Sequence, residues 1–159
     1  MPSVPHVSDP LAALREVGRK FYKERRVEFI GHKIALAPLG SAQEARANAR
    51  VQDYRAVHFL KAVKVEQLAY AIVEVDGLRF QTPPSAGGGL DEAAQEEQAR
   101  AKRAILSGWP DGVVTYLFQE LCVLQDEVEG LVKAEVATLP PDEGAEPAGG
   151  EPAQPEDAA

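Results

Sequence analysis

The segment Trp109–Val136 decides the fold of this chain, and it reads WPDGVVTYLFQELCVLQDEVEGLVKAEV. Its large aliphatic residues recur at alternating intervals of three and four, which places them on one stripe of an α-helix. The opposite face is charged and mainly acidic. A stripe of this length is suited to packing against another surface. Its members are Val114, Leu117, Leu121, Leu124, Val128 and Leu131.

The stripe can pack against either of two kinds of surface, and its periodicity does not distinguish between them. The helix can pack inside the chain on residues 53–75 and 90–106, or it can bind a partner protein or a second copy. The stripe covers fewer heptads than a coiled coil needs. Trp109, the only tryptophan, is expected to pack between two helices or to act as a partner hot spot. The predicted partner-binding residues are Trp109, Val114, Leu117, Leu121, Leu124, Val128 and Leu131.

The N-terminal third of the sequence is predicted to form one helix followed by a β-hairpin. Asp9 is a suitable N-cap, and Pro10 suits the first helical position, so the sequence predicts a helix from Pro10 to about Arg25. Two short alternating runs then flank Gly31-His32, and they predict a β-hairpin over residues 27–39. Because an isolated hairpin is marginal in water, it must pack on the rest of the chain.

A second helix is predicted after the hairpin. Ser41 and Glu44 have the spacing of a capping box, which predicts a helix from Ser41 to about Lys61. The positions expected on the buried side of this helix are Tyr54, Val57 and Leu60.

The strongly apolar run from Val63 to Val75 is ambiguous. Its spacing favours a helix, whereas its last residues, Ile72 to Val75, fit a short strand that turns at Asp76-Gly77 equally well. Residues 81–89, rich in proline and glycine, predict a flexible loop. Residues 90–106 predict a further, charged helix.

These elements give a mainly α (α+β) fold: one helical domain over residues 9–136 with a small β-hairpin, preceded by a flexible N-terminus at residues 1–8. Residues 137–159 hold five prolines, six acidic residues and no basic residue. Such a segment cannot bury enough apolar surface to offset the entropy of ordering, so it is expected to be a disordered acidic tail.

The charge of the chain is divided between its two halves. Residues 1–64 carry 12 Lys/Arg and 6 Asp/Glu, whereas residues 65–159 carry 5 and 19. A chain of this kind can associate head to tail. The basic half leaves open a nucleic-acid-binding or regulatory adaptor protein, although no recognition motif with stacking aromatics accompanies the charge.

No residue pattern predicts catalysis, a cofactor or a metal. Cys122 lies within a helix without a cationic neighbour to activate it, and His6, His32 and His58 lack the spacing of zinc ligands. Glu74 and Asp76 flank Val75 and could serve acid–base work or bind a cation, but the following Gly77 favours an ordinary turn. We therefore expect a protein that is not an enzyme and has no small-molecule substrate. Without a secretory signal or an apolar run of membrane-spanning length, the expected location is the cytoplasm.

Three pieces of sequence resemble small proteins of tailed bacteriophages, namely tail-assembly chaperones and baseplate-hub or hub-assembly proteins. They are the strand and helix start at Ile34–Glu44, the Leu-x-x-x-Ile-Val segment and acidic-Gly turn at Leu68–Gly77, and the Trp-Pro-x-x-Val-Val-x-x-Leu helix at Trp109–Leu117, continuing to Leu124. Together they span roughly residues 27–131.

The resemblance implies a non-enzymatic protein of virion morphogenesis. Such a protein would bind another tail protein, such as a tape-measure or hub component, or itself, through a helical surface. It would act in the host cytoplasm during assembly, with the virion as an alternative location. The resemblance carries over no catalytic residue and implies neither a membrane nor nucleic acid as partner.

Overall fold

A computed structural model describes residues 9–80 and 92–141 of the chain. Over these residues the fold is mainly helical with one small antiparallel sheet, which confirms the predicted fold class. The elements are α1 Pro10–Lys20, β1 Arg25–Phe29, β2 His32–Leu36, α2 Ser41–Val51, α3 Ala56–Ala71, β3 Ile72–Val75, β4 Leu78–Arg79, α4 Glu92–Leu106 and α5 Asp111–Ala137.

The sheet consists of two hairpins joined side by side in the order β1-β2-β3-β4. Ile34 is the cross-strand partner of Val27 in β1 and of Val75 in β3, so these three side chains lie on one face of the sheet. Ile30-Gly31 connects β1 to β2, and Asp76-Gly77 connects β3 to β4. The four turn residues all have positive φ, as a type I′ turn requires.

The ambiguous run after Val63 is helix first and strand second. Val65, Leu68 and Ala69 are buried on α3, which ends at Ala71. The chain then extends as β3, because the neighbouring β2 offers hydrogen-bond partners there. Ala37 N–H donates to Ala71 O at 2.8 Å at this junction. The short-strand interpretation of Ile72–Val75 is therefore the correct one.

Helix α3 is the centre of the molecule, and α2, α4 and α5 all pack against it. The core lies between these helices and one face of the sheet. Seven large aliphatic side chains are almost completely buried there: Leu36, Leu68, Leu106, Val114, Leu117, Leu121 and Leu124.

Two predicted helix boundaries were wrong. Helix α1 ends at Lys20, because Arg25 already pairs with Leu36 in the sheet. The helix that was expected to reach Lys61 stops at Val51, and a new helix starts at Ala56. The break turns Tyr54 and Leu60 outward, and both are exposed rather than buried. The side chain of Val57 lies outside the described ones.

The start of α2 is capped one residue earlier than the Ser41–Glu44 pattern predicts. Gly40 is the N-cap, and the side-chain oxygen of Gln43 accepts a hydrogen bond from Gly40 N–H at 3.0 Å. Ser41 is thus the first residue inside the helix. At α1 the predicted cap is confirmed, since the Asp9 carboxylate accepts from Leu11 N–H at 3.0 Å.

Helix α1 stands apart from this core. None of its residues is buried, and its apolar side chains Leu11, Leu14 and Val17 are all exposed. The predicted flexible N-terminus at 1–8, the loop at 81–89 and residues 142–159 of the predicted tail lie outside the described residues.

Candidate partner-binding groove

An apolar groove of about 460 Å³ runs between the sheet and the start of α5. We call it the apolar groove. The first hairpin and β3 form one side, and the junction between α4 and α5 forms the other. Its lining is Phe29, Ile30, His32, Ile34, Ile72, Val75, Trp109, Pro110 and Val113.

Both walls of the apolar groove are held in place by contacts at its base. On the sheet side, the Phe29 ring lies 5.3 Å from the Tyr116 ring of α5, measured between centroids. On the helix side, Trp109 N–H donates to Leu106 O at 3.1 Å, and Trp109 O accepts from Lys61 Nζ at 3.3 Å. Half-buried Trp109 therefore has a fixed position between two helices, as its place between Gly108 and Pro110 predicts.

Ile30 at the rim of the apolar groove has an unusual backbone. Its φ is +51°, in the left-handed region, and its side chain is 77% exposed. For an ordinary L-residue this conformation costs about 1–2 kcal/mol, and a β-branched residue adopts it very rarely. Asn, Asp or Gly is normal at this position of a type I′ turn. The Ile30 side chain therefore contributes little to the core, and the strain of the turn is not offset by burial within the chain.

The polar edge of the apolar groove is a pair formed by the two hairpin turns. His32 Nδ1 lies 2.6 Å from Asp76 Oδ2, and Asp76 Oδ1 accepts from Lys33 N–H at 2.8 Å. The hydrogen bond with His32, followed by the one from Lys33, lowers the pKa of the Asp76 carboxyl. This pair ties the two turns together and fixes the rim.

Among the described residues that line the apolar groove, His32 is the one titratable side chain, and none carries a hydroxyl or thiol group. Cys122 lies half-buried on α5, where desolvation and then Asp126 raise the pKa of its thiol, which disfavours the reactive thiolate. Among the residues that the structure describes, no group of three or more His, Cys, Asp or Glu side chains could hold a metal ion.

The structure divides the predicted partner-binding row into three parts. Four of its members are 0% exposed in the core of the chain itself: Val114, Leu117, Leu121 and Leu124. This corrects their assignment as partner contacts, because a second protein could reach them only after α5 left α3. Val128 is partly buried against the core, whereas Leu131 is 47% exposed and Trp109 lines the apolar groove. A partner role for these three residues stays a prediction.

Of the residues that line the apolar groove, sequence reasoning predicted Trp109 as a contact residue and missed the other eight. The one local signal was the isoleucine before Gly31, in a position where a hairpin turn prefers Asn or Asp. That signal needs the strand register, which the sequence alone left open.

Several cations of the basic half, residues 1–64, form ion pairs with carboxylates of the acidic half, residues 65–159. Arg25 contacts Glu120 at 2.6 Å, Arg46 contacts Glu92 at 2.8 Å, and Arg50 contacts Glu96 at 2.9 Å, while Lys23 pairs with Glu127. The separation of charge along the sequence is thus partly neutralised in the fold. The exposed cations Arg15, Arg19 and Lys20 of α1 lie outside this set of ion pairs.

No protein-family model matches the sequence, and neither the curated proteins nor the solved structures include one with significant similarity to it. None of the helices within residues 9–80 and 92–141 is long and apolar enough to cross a membrane.

Proposed function

We propose that this protein is a non-enzymatic assembly protein that binds an apolar segment of another protein in the apolar groove. The observation that supports this proposal most strongly is Ile30 on the rim of the apolar groove. Its backbone is strained, and its apolar side chain is exposed. The free energy stored in such a turn is offset when the side chain gains contacts in a complex.

The partner that suits the apolar groove is an amphipathic helix or extended segment that inserts two or three large apolar side chains. Binding sites of this kind draw most of their affinity from a few buried anchors, and Trp109 is an anchor-type residue. We propose a partner from phage morphogenesis, because residues 27–131 resemble tail-assembly and baseplate proteins. A tape-measure or hub component is the first candidate, and the host cytoplasm during assembly is the proposed location.

The test is Ile30→Asn, which leaves a residue suited to the turn and removes the apolar contact. We expect the free energy of unfolding to rise by about 1 kcal/mol, because Asn tolerates positive φ. We expect binding to the partner to weaken at least tenfold. Urea unfolding measures the first effect, and co-purification followed by titration with tape-measure and hub proteins measures the second.

The matched control is Ile105→Asn, the same substitution at an exposed position of α4 with ordinary helical backbone. This variant should bind like the wild type and should gain no stability. Equal binding by the Ile30→Asn variant and the wild type would show that the apolar groove is not the binding site. Failure of the wild type to bind any tail protein would refute the phage assignment.

A further inference from the structure

Apart from the apolar groove, two helices of the described chain, α1 and α5, expose several apolar side chains each. On α1, the apolar face consists of Leu11, Leu14 and Val17, with Leu14 68% exposed. On α5, the last turns extend beyond the core, and every residue from Glu129 to Ala137 is exposed. We call residues 128–137 the free end of α5. Its exposed apolar residues are Leu131, Val132 and Val136.

The two surfaces have opposite charge. Around its apolar face, α1 carries Arg15, Arg19 and Lys20 and a single acidic residue, Glu16. The free end of α5 carries Glu129 and Glu135 and a single basic residue, Lys133, which pairs with Glu129 at 2.9 Å. Packing α1 on the free end of α5 would therefore join apolar face to apolar face and cations to anions.

The two surfaces also match in length. Helix α1 has 11 residues, or about 16 Å at 1.5 Å per residue. The free end of α5 spans about 15 Å by the same measure. The exposed apolar residues of α1 are three apart and those of the free end of α5 are one and four apart, so each set lies on one side of its helix, as packing of two helices requires.

Within one chain this contact is not made. Lys23 lies 2.7 Å from Glu127, and Arg25 lies 2.6 Å from Glu120, so the segment that follows α1 is tied to α5. Helix α1 nevertheless buries none of its residues against its own chain. Its apolar face is therefore available to a second molecule.

We propose that two copies of this chain form a symmetric dimer in which α1 of each copy packs along the free end of α5 of the other. A two-fold axis makes this contact twice, so each copy gives one α1 and receives one. Pairing of the two α5 free ends with each other is disfavoured, because Glu129 and Glu135 would then face acidic residues of the same kind. The dimer is independent of the apolar groove.

The first experiment is sedimentation velocity across a concentration series for the full chain and two variants, Leu14→Asp and Leu131→Asp. Both side chains are exposed in the single chain, so circular dichroism and the melting temperature of the variants should match those of a wild-type monomer. We expect the wild type to form dimers, and we expect each variant alone to raise the dimer dissociation constant at least tenfold.

Mixing the two variants distinguishes the proposed arrangement from others. One copy then has an intact α1 and the other an intact α5 free end, so one of the two contacts is restored. We expect a tagged Leu14→Asp chain to capture an untagged Leu131→Asp chain, while neither variant captures itself. The Ile30→Asn variant should dimerise like the wild type, which separates failure of this proposal from failure of the groove.

Three results would overturn the proposal. A wild type that stays monomeric at every concentration would show that no second copy covers these faces. A dimer lost in the Leu131→Asp variant but intact in the Leu14→Asp variant would mean that the α5 ends pair with each other. Variants that are both monomeric but do not complement each other when mixed would rule out the exchange of α1.

Discussion

The substitution Leu121→Asp is expected to prevent folding. Leu121 is 0% exposed at the centre of the α5 stripe, packed in the core that α3 and α5 share. The change removes a large aliphatic side chain and buries a carboxylate without a partner. Together these effects cost about 5 kcal/mol or more, which is comparable to the whole stability of a domain of this size. Far-ultraviolet circular dichroism and urea unfolding measure the result.

The control for this change is Val123→Asp on the same helix. Val123 faces solvent, so the same carboxylate there stays hydrated and should cost less than about 1 kcal/mol. A folded, cooperatively unfolding Leu121→Asp protein would contradict the placement of this row in the core. It would also restore the interpretation of the row as an interface.

The second large effect is expected at the buried ion pair between α3 and α4. Arg103 Nε lies 2.6 Å from Glu66 Oε1, and the Glu66 side chain is only 4% exposed. Glu66→Ala would leave the guanidinium buried without its counter-charge, which typically costs about 3–5 kcal/mol. A fall of this size in the free energy of unfolding, measured in urea, is the expected result.

The double variant Glu66→Met with Arg103→Met serves as the control. Two apolar side chains of similar length replace both charges, and such replacements of buried pairs are often neutral or stabilising. Glu66 Oε2 and Arg103 Nη2 have no hydrogen-bond partner in the structure, which favours this outcome. If the double variant is as unstable as Glu66→Ala alone, loss of the ion pair itself rather than the unpaired charge explains the destabilisation.

Local patterns predicted the elements of this fold better than their boundaries. The intervals of three and four in α5 and the alternation around Gly31-His32 are properties of short segments, and both predicted elements are present. The hairpin turn lies one residue earlier than predicted, at Ile30-Gly31, and His32 is the first residue of β2. The break between α2 and α3 has no such local signal, since residues 52–55 include neither glycine nor proline. There the packing of both helices in the core sets the boundary.

The candidate site could not be predicted from the sequence, because it too depends on packing between distant segments. The apolar groove combines residues 29–34, 72–75 and 109–113, which meet only when the sheet and α5 have packed. The stripe on α5 raised a different difficulty. An internal core and a partner surface demand the same apolar periodicity, so the pattern of Leu117, Leu121 and Leu124 could not reveal which surface covers it.

The position of α5 at the end of the described chain has a consequence for synthesis. The ribosome synthesises residues 9–106 before α5. Until α5 has packed, the face of α3 against which Leu117 and Leu121 pack is exposed to solvent. During that interval the apolar face of α3 is exposed to solvent, and exposed apolar surface of this kind is prone to aggregation. We expect a chain arrested before Asp111 emerges to be cleaved by protease within α3, at sites that are protected once α5 has packed.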